Sequence, residues 1–182
     1  MKKTGYGTGI FTIENFLSPE ECIDYIQMSE TIGYEEAEII TREGSQIRKE
    51  IRNNDRIIFD DEKLATFIFE KAKDFLPEDL EDWGLLGLNE RFRFYRYTSG
   101  QYFKWHQDGY YCRNNNEISE LTFLMYLNDD YQGGETTFNW GTIKPEIGML
   151  LIFPHFLLHQ GSPVESGVKY VLRTDVMYRK KI

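Results

Sequence analysis

The hydrophobic pattern divides the chain near residue 90. In "ERFRFYRYT", residues 90–98, apolar and polar positions alternate strictly, the period of a half-buried strand. Further short strands read in "LTFLMYL", "ETTFNW", "GMLLIF" and "KYVLRTDVMY". Turn residues separate them at Thr98–Gly100, Asn128–Asp130, Gly133–Gly134, Pro145–Gly148 and Ser162–Gly167. The first part reads differently. In "SPEECIDYIQMSETIGY" Ser18 is the N-cap, Pro19 takes N1 and Glu21 takes N3, a capping box. Cys22, Ile23, Tyr25 and Ile26 then form an apolar helical face. A second helix is predicted in "DDEKLATFIFEKAKDF", stopped near Pro77. The expected fold is mainly β (α+β): a sandwich or barrel, the double-stranded β-helix or jelly roll being one such solution. The early helices would pack on the outside of one sheet. A chain of 182 residues is expected to form a single domain over residues 1–182, with a helical part at about 1–87 and a core at about 88–182.

Composition narrows the function classes. The formal net charge of −9 disfavours nucleic acid and anionic membranes as partners. Arg52/Arg56 and Arg91/Arg93/Arg96 are local basic groups, read as scattered surface charge. Two cysteines, Cys22 and Cys112, have no metal-binding spacing and fit a reducing compartment, and Cys112 reads as a bystander. The longest apolar run, "MLLIF", is too short to span a bilayer, and no apolar segment follows Lys2 and Lys3. The expectation is a soluble, cytoplasmic protein.

The candidate chemistry lies in "YFKWHQDGYY", residues 102–111. On a strand, His106 and Asp108 point to one face and Gln107 to the other, while Gly109 lets the chain bend. The pair can occupy adjacent corners of a metal polyhedron, and the third ligand would be His155 or His159. Two histidines and a carboxylate on one face mark non-haem Fe(II) oxygenases. Structural zinc would want four closed ligands, which the cysteines do not supply. Alone, His-x-Asp is a weak motif, equally consistent with a surface pair.

Three ordered segments strengthen it: "FYRYTSGQYFKWHQDG", "LTFLMYLNDDYQGGETTF" and "KPEIGMLLIFPHFLLHQGSPVESGVKYVLRTDVMYR". Together, over about residues 88–179, they resemble the prolyl 4-hydroxylase type of Fe(II)/2-oxoglutarate-dependent dioxygenase. The resemblance implies iron ligands at His106, Asp108 and His159, leaving His155 a non-ligand. It implies that Lys169, ten residues after His159, and Tyr97, nine before His106, hold the far carboxylate of 2-oxoglutarate. Thr122 would line the same pocket. The chain departs from the family at Tyr170, where tryptophan is common. Arg173 is a second candidate anchor, because other branches place an arginine there. Without the resemblance, Lys169 would read as an exposed strand end and Tyr97 as a packed aromatic.

The resemblance further implies Fe(II) and 2-oxoglutarate as cofactors, admits L-ascorbate, and implies O₂ and a peptide, protein or small-molecule substrate. The reaction would hydroxylate an unactivated C–H, first of all of a peptidyl proline, with release of succinate and CO₂. The competing readings are an oxygenase acting on a small metabolite, a jelly-roll binding protein without turnover, and a cupin-like metal hydrolase. Among other stretches, Gly133–Gly134 read as support for the sheet, and "EIRNNDRIIFDD" as a substrate-facing loop or a solvated turn ahead of a strand. Trp105 and Trp140 read as core packing before pocket walls, while Arg93 and Tyr95 share the face of Tyr97.

Overall fold

A computed structural model describes residues 1–7, 9–41 and 44–181. In chain order its longer elements are β1 (Lys2–Gly7), β2 (Ile10–Glu14), α1 (Pro19–Ile32), β3 (Asp55–Asp60), α2 (Glu62–Ala72), β4 (Trp83–Leu88) and β5 (Arg91–Tyr97). They continue with β6 (Phe103–His106), β7 (Glu117–Tyr126), β8 (Thr136–Phe138), β9 (Gly141–Ile143), β10 (Leu150–Pro154), β11 (His159–Gly161) and β12 (Lys169–Lys180).

The capping box at α1 forms as its residues predict: the Ser18 hydroxyl accepts from the Glu21 N–H, and the Glu21 carboxylate accepts from the Ser18 N–H. Cys22 is buried on that helix but Ile23 is exposed, so the apolar face is narrower than expected. Asp61 caps α2, and a single 3₁₀ turn, Lys73–Phe75, ends it before Pro77. These helices occupy a minor part of the first 87 residues, which also supply β1, β2, β3 and β4 to a sheet.

The main sheet is antiparallel, in the order β1–β2–β10–β7–β12–β5–β3, with β4 on the second half of β12. β12 is its spine. It pairs with β7 from Glu117↔Arg179 to Tyr126↔Val171, and with β5 from Lys169↔Tyr97 to Arg173↔Arg93. A second antiparallel sheet runs β6–β11–β8–β9. One face of the main sheet packs Phe92, Phe94, Phe123 and Leu172 against Cys22, Ala65 and Ile68 of the helices. The other face packs Tyr97, Tyr126, Phe153 and Val171 against Phe138 and Ile143 of the smaller sheet. The result is a mainly β, jelly-roll architecture with the early helices outside one sheet. Its second core, between the sheets, is where strand alternation delivers inward-facing polar side chains. No helix among the described residues is long and apolar enough to cross a membrane.

Candidate metal and cosubstrate site

Strand register builds the cluster. His106 ends β6 and His159 opens β11, and the two are direct partners in the β6–β11 ladder. Their rings lie 4.3 Å apart between centroids. His106 stacks on Phe103 at 3.5 Å, and Phe153 meets His159 edge-on at 4.6 Å, so both rings are held by packing. His106 Nδ1 is 2.7 Å from the Lys104 carbonyl oxygen, and His159 Nδ1 is 2.8 Å from that of Leu157. Each Nδ1–H therefore donates to backbone, which leaves each Nε2 with a free lone pair.

Asp108 lies two residues beyond the end of β6, fixed by its N–H donating to the His155 carbonyl at 2.9 Å. Gln107 turns the opposite way and donates to the Phe156 carbonyl. The Asp108 carboxylate has one oxygen 3.7 Å from His106 Nε2 and the other 3.7 Å from His159 Nε2. The ligand atoms of the three residues all lie within 4.8 Å of one another. Burial alone would raise the Asp108 carboxyl, but Arg173 and the two imidazoles outweigh it and hold it well below the usual range. Burial lowers His159 to about 4, against the pull of Asp108. A neutral His159 imidazole and an ionised Asp108 carboxylate are the protonation states in which a divalent metal takes such residues as ligands.

His155, the alternative third ligand, stands outside this cluster. Its Nδ1 bonds Thr122 Oγ1 at 2.9 Å and its Nε2 bonds Ser119 Oγ at 2.9 Å, so both ring nitrogens are engaged. Thr122 itself sits behind Asp108, donating to Oδ2 at 2.6 Å, and does not line the cavity. Two positions along the same strand, Leu124 occupies the cavity wall where Thr122 was expected.

A small cavity adjoins the cluster. Lys169 and Arg173 both reach it, together with Tyr95, Tyr97, Phe103 and Thr136. Their electrostatic states differ. Arg173 is paired with Asp108 Oδ1 and with Asp175 Oδ1, each at 3.0 Å. The Lys169 ammonium is buried, donates to the Gly134 carbonyl at 2.5 Å, and makes no ion pair with any described residue. Burial pushes it down to about 7, only weakly opposed by Glu135. Tyr97 faces Lys169 across the β5–β12 ladder. The Lys169 Nζ lies 5.3 Å from the Tyr97 ring centroid, and burial pushes the phenol up to about 12.

Gly134 makes room for this lysine. Its φ is +69°, and a Cβ there would lie 3.0 Å from the Tyr131 ring and 3.3 Å from Lys169 Cδ. Gly134→Ala should destabilise the protein by about 1–2 kcal/mol and weaken whatever anion Lys169 holds. Thermal unfolding and an anion titration on the same variant check both effects.

A larger depression lies beside α2, lined by Phe69, Leu88 and Met177 among others. It holds no metal-ligating cluster among the described residues. Trp105 and Trp140, expected in the core, are 44% and 43% exposed and line neither core nor cavity. Cys112 is an exposed free thiol. The expected surface arginines are more committed than that: Arg91 pairs with Asp60, Arg93 with Asp175, Arg96 with Glu30 and Asp55, and Arg52 is buried beside Asn54.

The sequence profile of the 2OG-Fe(II) oxygenase superfamily matches residues 92–174, which includes all three cluster residues, Tyr97, Lys169 and Arg173. The crystal structure of a viral collagen prolyl hydroxylase from Paramecium Bursaria Chlorella virus-1, in complex with 2OG, superposes with a TM-score of 0.69 at 26% identity, over 95% of this chain and 97% of that one. The chain is thus similar to 2OG-Fe(II) oxygenases of the prolyl 4-hydroxylase type, the profile covering just under half of its length. The cofactors of that superfamily are Fe(II) and 2-oxoglutarate. A protein of Acanthamoeba polyphaga mimivirus, provisionally named a prolyl 4-hydroxylase, is 27% identical over 93% of this chain and 74% of its own length. A PKHD-type hydroxylase of Synechococcus sp. (strain CC9902) is 33% identical over 40% of this chain, a match that spans only 34% of that relative. The residues present fit both groups: an N,O,N donor set, and a buried ammonium with no ion-pair partner among the described residues.

Proposed function

We propose that the protein is an Fe(II)- and 2-oxoglutarate-dependent dioxygenase that hydroxylates an unactivated C–H of a protein residue, a peptidyl proline first. The observation that carries this reading is the pairing of the His106–Asp108–His159 cluster with the Lys169 ammonium, which has no ion-pair partner among the described residues, across one cavity. His106, Asp108 and His159 would hold the metal. Lys169 and the Tyr97 hydroxyl would hold the far carboxylate of 2-oxoglutarate, a charge-assisted grip in a dry pocket. Arg173 and Thr122 would hold the Asp108 carboxylate. When bound, iron and 2-oxoglutarate supply the oxidising power for C–H hydroxylation, with release of succinate and CO₂.

The protein's own part is orientation and shielding. Phe103, Leu124 and Val171 supply apolar walls to the cavity. The backbone-bonded Nδ1 atoms keep each imidazole in the ligating tautomer. A peptide as substrate is supported by two neighbours. One is the viral collagen prolyl hydroxylase. The other is a prolyl hydroxylase of Trichoplax adhaerens, solved with a hypoxia inducible factor peptide, which shares the fold at 18% identity and a TM-score of 0.71. The free thiols of Cys22 and Cys112 favour a reducing, cytoplasmic setting.

Fe(II) with 2-oxoglutarate, added without oxygen, should give a visible charge-transfer band. His106→Ala should lose both the band and 2-oxoglutarate-driven succinate release. Retention of both in that variant would disprove the site. A mass search for products gaining one oxygen atom, run against proline-containing peptides, tests the substrate.

A further inference from the structure

His155 is buried, polar and unused by the metal reading, yet every atom of its ring is placed. The directions of its hydrogen bonds follow from their two ends. Asp108, paired with Arg173, is a carboxylate and can only accept, so the Thr122 hydroxyl donates to Oδ2. Thr122 Oγ1 must then accept from His155, which places the proton on Nδ1. The neutral ring keeps a lone pair on Nε2, and the Ser119 hydroxyl donates to it. Ser119 Oγ in turn accepts from the Tyr111 N–H at 2.7 Å, and the Ser119 N–H donates to the Tyr111 carbonyl at 2.8 Å. The chain Tyr111–Ser119–His155–Thr122–Asp108 therefore closes with no donor or acceptor left over. It joins the segment leaving the cluster to a carboxylate inside it.

We propose that His155 is a positioning residue: in its Nδ1–H tautomer it locks the Thr122 hydroxyl onto Asp108 Oδ2, and through Ser119 it ties that carboxylate to the segment around Tyr111. This rests on the reading of Asp108 as a metal ligand. The His155 main chain is pinned independently, its N–H to the Glu120 carbonyl and its C=O to the Asp108 N–H. A change of the ring alone therefore leaves the local fold in place. Partners that orient a ligand typically matter about 10–100-fold for metal affinity.

The test uses the metal-free full chain and Mn(II), which needs no exclusion of oxygen. Nitrogen-15 spectra of the metal-free protein should show His155 protonated at Nδ1 and bare at Nε2. By electron paramagnetic resonance titration, Thr122→Val and His155→Phe should each weaken Mn(II) binding roughly tenfold or more. Thr122→Ser, which keeps the hydroxyl, should restore it. The double variant should be no worse than Thr122→Val, because His155 acts through Thr122. An Nε2–H tautomer, unchanged affinity in folded single variants, or losses that multiply in the double variant would each overturn the relay. A parent protein that takes up no Mn(II) overturns the metal-site reading itself, whereas uptake with unaffected variants overturns the relay alone.

Discussion

Lys169→Met should abolish high-affinity 2-oxoglutarate binding while leaving Fe(II) uptake within a few-fold of the parent. The ammonium is buried with one carbonyl as its hydrogen-bond partner, and the other cation of the cavity, Arg173, is already engaged by two carboxylates. Truncating one partner of a buried, hydrogen-bonded charge pair costs about 2–5 kcal/mol, which is roughly 30- to several-thousand-fold in affinity. The second half of the prediction separates this from a folding defect. Methionine fills a similar volume without charge, so the empty variant should unfold at the same temperature as the parent or higher. Calorimetric titration of 2-oxoglutarate and a thermal melt decide the matter. A dissociation constant within threefold of the parent would shift the anchor to Arg173, already engaged by Asp108 and Asp175.

The same lysine sets a pH dependence whose sign is fixed by its burial. In the empty cavity Lys169 titrates at about 7, against 10.5 for an unburied lysine. Anion binding needs the charged form. Above pH 7 the empty site is increasingly neutral, so binding must take up a proton and the apparent affinity should fall, by up to about tenfold per pH unit. Titrations in buffers of different ionisation enthalpy should reveal the uptake. Stability runs the other way. Between about 7 and 10.5 the unfolded chain binds a proton that the empty folded protein does not, so this site's contribution grows as pH rises through that window. It is lost as pH falls through 7. Lys169→Met should remove that slope.

Much of this site is written in local pattern. The alternation of "ERFRFYRYT" places Tyr95 and Tyr97 on one face, and that face is the cavity. The i, i+2 spacing of His106 and Asp108 likewise brings their side chains together. What local pattern lacked was register. His155 and His159 are equivalent by spacing, and only the pairing of His106 with His159 across the β6–β11 ladder separates them. Lys169 and Arg173 share a face of β12 and are indistinguishable until Asp108, from the segment after β6, claims one of them. Leu124 takes the cavity wall expected of Thr122 for the same reason: a shared face does not say which residue stands nearer the cluster. In the fold, β1 gave no signal because "KKTGYG" is polar, glycine-bearing and on the sheet edge, where one neighbour suffices.

Arg173→Met should destabilise the metal-free protein strongly and the metal-loaded protein much less. The side chains of Asp108 and Asp175 are both buried, and Arg173 lies 3.0 Å from each. Removing one member of a buried ion pair typically costs about 3–5 kcal/mol, because the remaining charge is stranded. In a protein of this size that is on the order of 10 °C in melting temperature. Asp175 retains Arg93 at 3.2 Å, so Asp108 is the more exposed to the loss. In the parent, Arg173 is the strongest influence opposing the effect of burial on the Asp108 carboxyl. Without it, burial should carry that carboxyl above its unfolded value. The folded variant then binds a proton that the unfolded chain lacks, so its stability falls as pH rises between those two values and the deficit is greatest at neutral pH. A divalent cation at the cluster supplies the missing positive charge, so Fe(II) or Mn(II) should raise the variant's melting temperature more than the parent's. Equal metal-induced shifts would mean that Arg173 does not share Asp108 with the metal. A melt that is lowest at acid pH would mean that the carboxylate is held by something other than this guanidinium.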